Sequence, residues 1–307
     1  MKKTPNLFLI TGLVLLSFFV LLSLFGPMFA PYDLDDREEV EYTSTEDGDY
    51  ELNVAPHPPS AKHPFGSDKW GYDILTKMLH GAKYTVFTVL VVASIRVVFG
   101  TAFGVMNAVR SKRNQMKKTN FSLFNGIPIF IIIYFALFGI TFNSDLSTLT
   151  LVILEGSLLA VLGIPGVYHV IYNKTIELKK KTYVSVAKTL GGSSIHLSRK
   201  HIFPGLKGNL IILVVSESIQ VLHVIGQLGI FNLFLGGTYY QTNPLLFFSI
   251  TNEWSGLIGQ SRSFIYSTQW VILYPLAAYL LFLLSFYLLS KGLNTRMEEQ
   301  LRRTSHM

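Results

Sequence analysis

The chain reads as an all-α membrane protein of six transmembrane helices with both termini cytoplasmic. Half of its 307 residues are apolar and mean hydropathy is +0.39, which suits a multi-span membrane protein better than a soluble domain. Apolar stretches of about 20 residues, the length that crosses a bilayer, recur along it. Lysine and arginine gather between alternate stretches and carboxylates in the others, which orients the spans.

The first stretch, 7–29, follows Lys2 and Lys3 and is too long for a signal-peptide core; Pro31 after Ala30 is also a poor cleavage context, so a retained helix is expected. Segment 31–81 is polar, with ten carboxylates between Asp33 and Glu51 against Arg37 alone, and reads as a solvated loop with little core of its own. Within it, Gly66 and Gly71 permit tight turns, and 74–79 reads as a short amphipathic helix lying along the outer surface. The second span, 84–109, contains Arg96 and the Gly100-x-x-x-Gly104 spacing that admits a neighbouring helix. Arg96 would be costly against lipid, so it is expected to face protein, water or a carboxylate, in an ion pair or along a transport path. Arg110, Lys112, Arg113, Lys117 and Lys118 mark the following end as cytoplasmic.

A third span is expected over 121–142 and a fourth over 149–170, the latter interrupted at Gly163-Ile164-Pro165-Gly166 because proline removes a helix hydrogen bond. Glu155 in the fourth and Glu217 in the fifth span (209–235) are candidate proton-relay groups or partners of Arg96. An outer loop, 236–267, precedes the last span, 270–289, and a basic tail. The outer segments hold 14 of 19 acids and 6 of 26 basic residues, so the net charge of +7 follows from topology and calls for no nucleic-acid surface.

Between the fourth and fifth spans lies the polar run 179–208. Tyr183, Val186, Ala187 and Leu190 fall on one helical face, Gly191 and Gly192 stop that helix, and Ser193 or Ser194 can cap a second. A helix-turn-helix on the cytoplasmic side follows; an interfacial loop whose lysines meet headgroups is the other reading. The division expected is 1–29 tail and first span, 30–83 outer acidic loop with interfacial helix, 84–290 five-span core enclosing 179–208, and 291–307 tail.

Chemistry-bearing patterns are scarce. Cysteine is absent, as are H-E-x-x-H, G-x-S-x-G and the phosphate-binding G-x-x-x-x-G-K-[ST], and His196 and His201 stand five apart, so no catalytic centre, metal or cofactor is expected.

The segment from Val186 to Gly191 (VAKTLG), a nine-residue spacer and HIFP at 201–204 resembles the "EAA" signature of ABC importer permeases. The resemblance departs at Ser185, where the family has glutamate, and at Val186, where it has alanine. His63, Pro64, Gly66, Asp68, Gly71, Asp73, Leu75, Gly81 and Ala82 resemble the segment before the second span of C-type permeases of oligopeptide, dipeptide and nickel importers. Tyr72 stands where those have arginine. The Pro165-Gly166 pair also matches, with His169 and Tyr172 in place of the arginines that follow it. Gln227 takes the place of a glutamate, and EWSGLIGQSRSFI resembles the family's PSWGxMLxEGRSYL.

The resemblance implies a non-catalytic subunit in the bacterial plasma membrane, forming half of a translocation path. A second, different permease, two ABC ATPases and an extracytoplasmic solute-binding protein are the implied partners, besides lipid. ATPase coupling would fall to Tyr183, Ser185, Val186, Ala187, Leu190, Gly191 and Gly192. Gly66, Asp68, Asp73, Trp254 and Arg262 would face the binding protein, and Arg96, Glu155, Glu217 and Gln227 the path or intramembrane pairs. The competing class is an ion- or proton-coupled carrier using Glu155, Glu217 and Arg96.

Overall fold

A computed structural model describes residues 6–44, 50–111 and 127–305. Among the described residues, five helices are long and apolar enough to cross a membrane, and a shorter apolar one accompanies them. Helix α1, Leu7–Phe25, is capped by Asn6, whose side chain accepts from Leu9 N at 3.1 Å, and a 3-10 turn, Gly26–Phe29, ends the apolar run where expected. Asn6 also donates to Gly292 O at 2.7 Å, so the start of α1 is tied to the last helix.

Helix α2, Ile74–Arg110, begins at Asp73, which accepts from Thr76 N at 2.7 Å, and runs unbroken for 37 residues. The separate interfacial helix expected at 74–79 is instead the first turns of α2 itself. At 1.5 Å per residue α2 is about 55 Å long, well beyond a hydrocarbon core of about 30 Å. Gly81 does not break it. A Cβ there would lie 1.8 Å from Asn252 O, so the glycine instead lets the outer loop lie on the helix backbone.

Helix α3, Ile129–Thr141, occupies the end of the expected third span; 121–126 lie outside the described residues. Its 13 residues cover about 20 Å, less than the apolar thickness. Helix α4, Thr148–Lys179, passes through Pro165 without a break, contrary to the expected interruption. Its close packing along α2 holds the helix where the proline removes one bond: Cβ atoms at Gly100 and Gly104 would come within 2.5 Å and 2.9 Å of Val167 and Ile171.

Short helices α5, Thr182–Thr189, and α6, Ser194–Leu197, lead through a π turn, Ser198–Ile202, into α7, Phe203–Ile230. Helix α9, Trp270–Ser305, continues the last span through most of the basic tail.

The expectation of a purely helical chain needs amending on the outer side. Strands β1, Val40–Ser44, and β2, Tyr50–Val54, pair antiparallel where the acidic segment had read as a solvated loop; residues 45–49 lie outside the described ones. Strands β3, Thr238–Thr242, and β4, Leu245–Ser249, form a second hairpin, followed by α8, Trp254–Ser261. Backbone hydrogen bonds not supplied within a helix must be met elsewhere, and a hairpin does this locally. The main core unites Phe19, Trp254 and Phe282, whose rings meet edge-on at 5.4–5.9 Å, with the inner faces of α2 and α7.

Candidate functional site

One candidate site forms where α4 ends. Gly191 adopts φ +82°, Gly191 N donates to Lys188 O and Gly192 N to Ala187 O, both at 3.1 Å, and α5 stops at the expected glycine pair. Ser193, rather than Ser194, caps α6 by accepting from His196 N at 3.3 Å. Val184 and Leu197 are buried and hold the unit against the bundle, while Ile202 and Leu206 anchor its far end among Val97, Val167, Ile171 and Leu178.

The face predicted from spacing points away from the chain. Tyr183 and Val186 are about half exposed and Leu190 is 82% exposed, with Ser185 and Gly191 open and Ala187 and Gly192 half-buried beside them. Ile195 extends the apolar surface from α6 at 70% exposure. A cavity of about 950 Å³ opens beside it between α2 and α7, walled by Val97, Thr101, Val105, Phe203 and Leu210, with Arg110 and Arg199 in its lining.

Deeper in the bundle Arg96 is 1% exposed and joins three helices. Its Nη1 donates to Glu217 Oε2 on α7 at 3.1 Å, and its Nε and Nη2 donate to Leu159 O on α4 at 3.0 and 2.7 Å. Gly163 is the seat for this guanidinium, since a Cβ there would fall 2.0 Å from Arg96 Nε. Of the two candidate acids, Glu217 meets Arg96. Glu155 lies nearer the outer end of α4, accepting from Gly236 N at 3.4 Å, its Oε1 without a partner among the described residues. Gln227 is exposed on α7.

Gly66, Asp68, Asp73 and Trp254, expected to face a binding protein, are buried and so do not present themselves at the surface. Asp68 Oδ1 accepts from Trp70 N at 2.9 Å and Tyr72 N at 3.1 Å, while Oδ2 takes Lys77 Nζ. Asp73 caps α2 and holds His63 Nδ1 at 3.1 Å. Trp254 Nε1 donates to Met78 O at 3.0 Å. Gly66 and Gly71 take φ +76° and +85°, the turns expected of them. Arg262 is exposed and donates to Ile230 O, beside Ile265 and the 95% exposed Tyr266. A hydrogen bond from Lys62 holds the Glu38 carboxyl below its ordinary range.

Sequence reasoning missed Glu253, which is fully buried at the start of α8 and accepts from Ser255 N and Oγ, each at 2.8 Å. Burial pushes its carboxyl from 4.5 to about 7. The folded chain therefore keeps this proton over an interval in which an unfolded chain has released it, and stability falls as pH rises through that interval. The expected loss is about 3 kcal/mol at most. The thermal midpoint in detergent should drop across the interval from pH 4.5 to about 7, and Glu253→Gln should flatten that slope.

Fold and site together define a polytopic helical membrane protein with a cap of hairpins and short helices at one end of the bundle and an exposed helix-turn-helix after α4. Residues 96–303 match the model of the "Binding-protein-dependent transport system inner membrane component", and the chain belongs to that family, the permease subunits of ABC importers of the bacterial cell membrane. Residues 6–61 match the "N-terminal TM domain of oligopeptide transport permease C". Similar proteins include a dipeptide transport system permease protein of Alkalihalophilus pseudofirmus, 23% identical over 97% of this chain and 87% of the relative. A probable D,D-dipeptide transport system permease protein of Escherichia coli K12 is 25% identical over 92% and 85%. A glutathione transport system permease protein of an avian-pathogenic Escherichia coli O1:K1 is 22% identical over 92% and 83%.

Proposed function

We propose that the chain is one half of the transmembrane path of an ATP-driven importer of short peptides, with α3 as the sixth span and both termini cytoplasmic. A different permease chain supplies the other half and closes the cavity between α2 and α7. One ATPase subunit docks on the face of Tyr183, Val186, Ala187 and Leu190, with Ser185, Gly191 and Gly192 around it, and a second ATPase serves the partner permease. An extracytoplasmic binding protein delivers the peptide to the outer cap near Arg262 and Tyr266. Family membership and the peptide-transport names of the relatives support the cargo class.

The observation that carries the docking role is the orientation of α5: an apolar face turned outward from the bundle next to lysines that favour the cytoplasm. The ion-coupled carrier is less well supported, because Arg96 and Glu217 are occupied with each other. The chain has no cysteine, so single labels report cleanly. Tyr266→Cys should react with an impermeant maleimide from outside intact cells. Leu190→Cys should react only in inverted vesicles and become protected when the ATPases bind. The reverse sidedness, or an unprotected Leu190→Cys in a complex that hydrolyses ATP, would overturn the reading.

A further inference from the structure

Lys179 closes α4, two residues before Lys181 caps α5. It is 9% exposed, and its ammonium donates to Ala108 O at 2.8 Å and Ser111 O at 3.0 Å. Ala108 stands in the last turn of α2 and Ser111 is the residue that caps it. The last carbonyls of a helix lack partners within it and carry the negative end of its dipole, so a cation satisfies them twice over. Both oxygens Lys179 meets among the described residues are backbone carbonyls. Pulling the ends of α2 and α4 apart would take from this buried ammonium the two acceptors it has among the described residues, which is disfavoured.

The surrounding packing reinforces the joint. Ala108 is buried against Tyr172 and Ile176 of α4, and Val109 belongs with Ile171 and Leu178. Above them the Gly100 and Gly104 contacts bring the two backbones together, and higher still Arg96 reaches Glu217 on α7. A continuous contact thus runs from the start of α5 through Lys179 to α2 and on to α7.

We propose that Lys179 is the positioning residue that fastens the inner end of α2 to α5, so that displacement of α5 by an ATPase carries α2 with it. This rests on the docking role of α5 and specifies how its motion enters the bundle. Lys179→Met keeps the length of the side chain and removes its donors; Lys179→Arg restores donors. In the complete transporter reconstituted in vesicles, Lys179→Met should retain bound ATPases and ATP hydrolysis, while peptide taken up per ATP falls by about tenfold, equivalent to ~1.4 kcal/mol. Lys179→Arg should stay near the wild-type ratio.

A second measurement is independent of transport: spin labels at Arg110→Cys and Thr189→Cys, both exposed, on the otherwise native chain. Their separation should stay the same with and without ATP, and should broaden and shift in Lys179→Met. An unchanged uptake per ATP in Lys179→Met would overturn the proposal, and so, even if Lys179→Met fails to accumulate, would labels that move apart on ATP binding in the native chain. Failure of the native chain to retain ATPases at all would instead overturn the docking role of α5.

Discussion

Ala187→Arg should leave the permease inserted in the membrane and able to meet its binding protein, yet unable to recruit its ATPases. The position lies on the outward face of α5, between Tyr183, Val186 and Leu190, and reaches neither Arg96 nor the cavity beside α2. A guanidinium there must be desolvated on seating against an apolar groove, and loss of a central docking contact costs about 2 kcal/mol or more, roughly a thirtyfold weaker association. Gly191→Val should act on the same step by another route, because φ +82° is strained for a β-branched residue by on the order of 1–3 kcal/mol. Pull-down of the ATPases and peptide-stimulated ATP hydrolysis in reconstituted vesicles measure the effect. Wild-type values of both in Ala187→Arg would remove the docking role from α5.

Gly163→Ala should be strongly damaging for a change of a single methyl group. The added carbon would displace Arg96 from Leu159 O and Glu217, and a buried pair broken on one side costs about 3–5 kcal/mol. Arg96→Met should do comparable harm by leaving Glu217 buried alone. Arg96→Met combined with Glu217→Met should recover most of the loss, because replacing both partners of a buried pair by apolar groups is often close to neutral. The thermal midpoint and the yield of monodisperse protein in detergent report this ordering. The double variant is also expected to transport; recovery of folding without transport would assign the pair to the path.

Much of the site was legible because it is local. The i, i+3, i+4 recurrence of Tyr183, Val186, Ala187 and Leu190 and the Gly191-Gly192 stop depend only on neighbouring residues, and α5 ends where they predict. The outer motif misled for the opposite reason. Gly66, Asp68, Asp73 and Trp254 are expected at the surface only because the segments they belong to resemble those of the C-type permeases, whereas long-range packing buries all four. Lys179 read as one lysine in a basic run, and no spacing rule connects it to Ala108, 71 residues earlier.

The sequence by itself determined where the long apolar helices lie, which flanks are basic, and that a glycine turn separates two short helices in the polar run. These depend on the partition of consecutive residues between water and lipid and on local backbone freedom. Only the tertiary structure decided that Arg96 takes Glu217 rather than Glu155, that Gly163 seats a guanidinium and does not break α4, that 74–79 extends α2, and that hairpins fold the outer side. Each of these depends on which distant backbone or side chain lies within a few ångströms, a quantity set by how the helices pack and absent from any local run of residues.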